Sequence, residues 1–81
     1  MRSGVARSVP KDTASPHLKR LGKRIKDLRE EKGLTQTDLS RASGVSRVYL
    51  SGIERGIRNL TVLHLLGIAK GLKVPPGSLI D

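Results

Sequence analysis

The chain has 81 residues, enough for one small domain with a core of Leu, Ile, Val and Ala and too few for a second. Sixteen Lys and Arg against seven Asp and Glu leave a net charge of +9 at neutral pH, a surplus that draws polyanions to the surface. With no Cys, Trp or Phe and one Tyr, the composition excludes a disulfide framework, a thiolate metal site and the aromatic platforms on which RNA-binding modules stack bases.

Residues 1–16 mix Ser, Gly, Pro, Arg and Lys with no helical or strand period, and are expected to form a flexible basic arm ahead of a single domain over 17–81. Such an arm follows a nucleic-acid backbone or enters a minor groove, or else is an unstructured leader. Its charges are not followed by an apolar segment, so it does not read as a secretory signal, and no run is long enough to cross a bilayer. The expectation is a soluble, cytoplasmic protein.

From Pro16, Leu18, Leu21, Ile25 and Leu28 recur at spacings of three and four until Gly33, which predicts a first helix. Lys19, Arg20, Lys23, Lys26 and Lys32 fill its other faces, and ten of the sixteen basic residues precede Gly33. A basic amphipathic helix is also the form of membrane-surface segments. This apolar stripe is narrow and lacks aromatic anchors, which favours packing against the helices that follow.

Thr35 can cap a second helix carrying Leu39 and Ala42 on one face, and Ser43-Gly44 then interrupts the pattern. Ser46 caps a third helix, with Leu50 and Ile53 three apart, ahead of a glycine stop at Gly56. Two short helices joined by so brief a turn cross steeply and need a third to cover them, which is the helix-turn-helix arrangement. After a loop over Ile57-Arg58-Asn59-Leu60, Thr61 caps a fourth helix over about Val62 to Leu72, ended by Gly71 and Lys73. Val62, Leu65, Leu66, Ile68, Ala69 and Leu72 form a broader apolar surface than a small core needs, which points to a partner surface. Pro75-Pro76 starts a last turn of helix through Leu79 and Ile80, giving an all-α fold of five helices.

Enzyme chemistry finds no support. His17 and His64 have neither a carboxylate nor a second histidine at ligand spacing, and no nucleophile is brought to a base by any spacing. No metal, cofactor or small-molecule ligand is expected. A helix-turn-helix needs none, because its second helix enters the major groove of duplex DNA with side chains near its start facing the base edges.

The chain resembles the lambda-repressor and Cro-like helix-turn-helix DNA-binding domains. The resemblance is carried by Leu28-Arg29-Glu30-Glu31-Lys32-Gly33-Leu34-Thr35-Gln36, Leu39, Gly44-Val45-Ser46, Leu50-Ser51-Gly52-Ile53-Glu54-Arg55-Gly56 and Ile68-Ala69-Lys70. Within that family, Tyr49 to Arg55 followed by Arg58-Asn59-Leu60-Thr61 is most similar to the controller proteins of restriction-modification systems, which are small dimeric regulators. The chain departs from the pattern at Ser40, where Ala is usual and the hydroxyl can bond the preceding turn, at Leu60 in place of Pro, and at Gly52, where a base-reading side chain often stands.

The resemblance implies that Gln36 bonds a phosphate at the start of the second helix, unless it is merely an exposed glutamine, and that Arg29 pairs with Glu54 in a partly buried bridge. By geometry Ser46, Arg47, Val48, Tyr49 and Ser51 stand at the start of the reading helix. Arg47 suits the two acceptors of a guanine or a phosphate alone, and Val48 a thymine methyl or open solvent. Tyr49 offers its hydroxyl to DNA or its ring to packing, and Ser51 is the weaker contact. Arg55, Arg58 and Asn59 are expected along the phosphate backbone. One domain makes few base contacts, so a homodimer on a palindromic operator is expected, joined through Leu66, Leu79, Ile80 and their neighbours. The alternative use of the same fold is protein interaction, as in an antitoxin-like or co-activator-like module.

Overall fold

The computed structural model describes residues 16–80. They form five helices, α1 (Pro16–Glu31), α2 (Gln36–Ser43), α3 (Arg47–Glu54), α4 (Val62–Leu72) and α5 (Gly77–Ile80), with no strand among the described residues. Residues 1–15, which hold nearly all of the expected basic arm, and Asp81 lie outside the described residues.

Local chemistry sets the helix ends. The Thr35 hydroxyl accepts from the Asp38 amide at 3.0 Å, and the Asp38 carboxylate accepts from the Thr35 amide at 2.9 Å, so two amides without intrahelical partners are satisfied reciprocally. The Thr35 backbone amide and then its side chain hold the Asp38 carboxyl below its ordinary 3.8. Thr61 and His64 repeat the device at the start of α4, where the Thr61 amide donates to His64 Nδ1 at 3.3 Å and the His64 amide donates to Thr61 Oγ1 at 3.2 Å. At the end of α2, Gly44 takes a φ of 79° that a residue with a Cβ adopts only with strain, and its amide closes onto the Ser40 carbonyl at 2.9 Å.

Ile25, Leu39, Val45, Leu50, Ile53, Ile68, Ala69, Leu72 and Leu79 form one buried core, with Leu21, Leu28, Leu34, Tyr49, Leu60, Leu65 and Val74 packed around it. Truncating one of the fully buried aliphatics removes both transfer energy and packing, about 2–5 kcal/mol each. Backbones approach closely where side chains are absent. A Cβ on Gly22 would lie 2.2 Å from the Ile53 carbonyl oxygen, so α1 crosses α3 only because that residue is glycine. Gly67 on α4 does the same against α2, where an added Cβ would meet the Ser43 carbonyl oxygen at 2.6 Å, and one turn on a Cβ at Gly71 would press on the Leu39 side chain at 2.9 Å.

Three expectations need correction. Ala42 is exposed and does not share the buried face of Leu39. Gly71 lies inside α4, and of the two expected end markers it is Lys73 that closes the helix, in the left-handed conformation, φ 59°. Leu79 is 2% exposed and closes the core, next to the tie from Arg24 Nε to the Ser78 carbonyl at 2.8 Å, so it is not available as a dimer surface. Ile80, 64% exposed, and Leu66, 46% exposed, lie on the surface, as do Leu63 at 79% and Val62.

Candidate nucleic-acid interface

Helix α3 separates its faces sharply. Leu50 and Ile53 are at most 1% exposed and pack against the rest of the domain, while Ser46, Arg47, Val48 and Arg55 are exposed and Ser51 is half-buried. Ser46 caps the helix by accepting from the Tyr49 amide at 3.2 Å, which leaves its hydroxyl proton free for an outside acceptor. Arg47, Arg55 and Arg58 enter no ion pair among the described residues, so three guanidinium groups around one outward helix are open to anions.

The turn that aims α3 is held by side chains. The Ser40 hydroxyl donates to the Val45 carbonyl at 2.6 Å, and the Val45 amide donates to Ser43 Oγ at 3.2 Å. Ser40 therefore ties α2 to the entry of α3, rather than bonding the preceding turn. Below the turn, Arg29 Nε donates to Glu54 Oε2 at 2.7 Å and Arg29 Nη2 to Glu54 Oε1 at 3.0 Å, a two-pronged pair with side chains only 10% and 3% exposed. Arg29 Nη1 also donates to the Leu34 carbonyl at 2.7 Å, so one guanidinium links α1, the following turn and the end of α3. The Glu54 hydrogen bond raises the Arg29 pKa above its ordinary value, against the opposing effect of burial, and keeps the group charged.

Two expected DNA contacts are engaged within the domain. Gln36 Nε2 donates to Glu54 Oε1 at 3.0 Å, so its side chain completes the buried pair while the N-terminus of α2 remains for a phosphate. The Tyr49 hydroxyl donates to the Asn59 carbonyl, and its ring lies 4.7 Å from that of His64, so the packing alternative holds in this structure. Arg58 and Asn59 are exposed on the loop pinned by this contact. Sequence reasoning misses Gly22, and it misses His64 as a capping and packing residue. The Thr-to-His spacing of three is the available signal for the latter. Among the described residues, no three His, Cys, Asp or Glu gather to hold a metal ion, and no helix is long and apolar enough to cross a membrane.

A cationic outward helix, seated by a tight turn on the helix before it, defines a helix-turn-helix domain. A family model described as helix-turn-helix matches residues 25–79, and the chain belongs to that family. It is 48% identical over 56 residues to an uncharacterized HTH-type transcriptional regulator, y4dJ, of Sinorhizobium fredii, a match spanning 69% of this chain and 73% of the relative. Among solved structures, the restriction-modification controller protein C.AhdI of Aeromonas hydrophila superposes with a TM-score of 0.75 at 40% identity, over 76% of this chain and 94% of that one. The controller protein C.Esp1396I superposes with a TM-score of 0.75 at 46% identity, over 80% of this chain and 86% of that one. C.Esp1396I has also been solved as a tetramer in complex with its natural 35-base-pair operator.

Proposed function

We propose that the chain is a sequence-specific regulator of transcription, a restriction-modification controller that binds a palindromic operator in double-stranded DNA as a homodimer in the cytoplasm. The observation that carries this reading is the outward face of α3, where Arg47 and Val48 stand clear of the domain and Leu50 and Ile53 anchor the opposite side. Arg47 supplies the donor pair that a guanine edge accepts, and Val48 the apolar contact that suits a thymine methyl. The N-terminus of α2 at Gln36, with Ser46, Ser51, Arg55 and Asn59, supplies phosphate contacts that fix register, and Arg58 supplies a further cation beside α3. The family is one of transcriptional regulators rather than enzymes. The operator complex of C.Esp1396I supports the assignment of the partner.

A single α3 reaches only a few base pairs, and pairing two copies doubles the readout. Leu63, Leu66 and Ile80 on α4 and α5 supply the apolar surface for that pairing. Enrichment of bound duplexes from randomised DNA tests the proposal. Two inverted half-sites about one helical turn apart, ~10 base pairs, are expected. A pool that stays random at moderate salt would overturn it.

A further inference from the structure

We infer that Gly52 is a positioning residue for DNA recognition, acting by seating the side chain of Arg58 on the outer surface of α3. The inference rests on the reading of the chain as a DNA-binding regulator. Positions 48, 52 and 55 fall in one row along α3, and the residues at either end of that row, Val48 and Arg55, are exposed. Gly52 between them is buried, because the chain folds back over it: the Ile57 amide donates to the Gly52 carbonyl at 3.0 Å. A Cβ on Gly52 would lie 2.3 Å from Cγ of Arg58, 3.3 Å from its Cβ and 3.5 Å from its Cδ. The aliphatic stem of Arg58 thus occupies the place that a side chain at 52 would take.

The two groups exclude one another. With glycine at 52, the middle of the row carries the aliphatic stem of Arg58 delivered from the loop, and the next residue of that loop is pinned by the Tyr49 hydroxyl on the Asn59 carbonyl. With any larger residue at 52, the flexible Arg58 side chain has to leave, and its guanidinium is displaced with the stem. The family resemblance implies a gap at Gly52, where a base-reading side chain often stands. Arg58 fills that gap from the loop.

A purely structural role predicts the opposite outcome. Glycine is, after proline, the poorest residue for a helix interior, so alanine at 52 should only steady α3 and leave DNA binding alone. The test compares the full chain with its Gly52→Ala, Arg58→Ala and doubly substituted forms. The probe is the labelled duplex that the wild-type protein enriches most from a randomised pool. Each single change is expected to weaken binding about tenfold, the effect of removing one well-placed side chain. The double substitution should be no weaker than Arg58→Ala within about twofold, because both act through one side chain. Gly52→Ala and Arg58→Ala should also relax base preference at the same positions, with the melting temperature of Gly52→Ala at or above that of the wild type.

Wild-type affinity in Gly52→Ala overturns the inference, and so does a double loss near a hundredfold, which would make the two residues independent. If Gly52→Ala lowers the melting temperature, removal of the Arg58 stem in the double form has to restore it, and failure to do so also overturns the inference. A wild-type protein that enriches no duplex refutes the function as well, since there is then no recognition for Gly52 to position.

Discussion

Replacing Glu54 by Ala tests the support of the reading helix. The Glu54 carboxylate, 3% exposed, accepts two hydrogen bonds from Arg29 and one from Gln36. Its removal leaves the Arg29 guanidinium in a 10% exposed site with the Leu34 carbonyl and, 3.9 Å away, the exposed Glu30 carboxylate as its remaining partners, and it strands the Gln36 amide. Breaking one side of a buried pair costs about 3–5 kcal/mol, most of it from the unmatched charge left behind. A domain of this size has a total stability of roughly 3–10 kcal/mol, so the loss is a large fraction of the whole. At about 4–8 °C per kcal/mol, the melting temperature should fall by more than ~12 °C, followed by far-ultraviolet circular dichroism at neutral pH. Substituting both partners, Arg29→Met with Glu54→Leu, should recover much of the loss, because a buried pair adds little over apolar residues of similar volume. A melting temperature for Glu54→Ala within about one degree of wild type would refute the reasoning.

Asp38→Asn should destabilise the domain at neutral pH and flatten its acid denaturation. The lowered pKa of Asp38 contributes stability that is complete above the ordinary value of 3.8 and is lost as the pH falls through the lowered value, so parallel acid unfolding curves for the two proteins would count against the capping box. Leu66→Glu places a charge on the exposed apolar surface of α4 while sparing the core. It should shift sedimentation from dimer to monomer and weaken operator binding without lowering the monomer's melting temperature, and an unchanged sedimentation profile would move the dimer contact elsewhere.

The helix boundaries around the turn are legible in the sequence because their causes are local. Thr35, Ser46 and Thr61 cap within three residues of themselves, and Gly44 turns the chain within its own backbone. The apolar spacing likewise identifies the buried faces of α1 and α3. What stays hidden depends on residues distant in sequence. Gly22 and Gly67 read as neutral residues until the helices that cross them are in place, and Gly52 reads as a deletion until Arg58 folds over it. Leu79 and Ile80 lie in a four-residue helix with too little sequence to show a period, so nothing marks one as core and the other as surface. The Arg29–Glu54 pair follows from the family resemblance, but the diversion of Gln36 into it does not.

The placement of α3 in the groove stands or falls on Arg47 facing the base edges. Base preference, measured by binding to every single-base variant of the selected operator, should relax in Arg47→Ala at one position in each half-site, with a discrimination loss of about 1–3 kcal/mol there and an unchanged melting temperature. An Arg47→Ala protein that keeps the wild-type affinity and the wild-type preference at every position would contradict that placement.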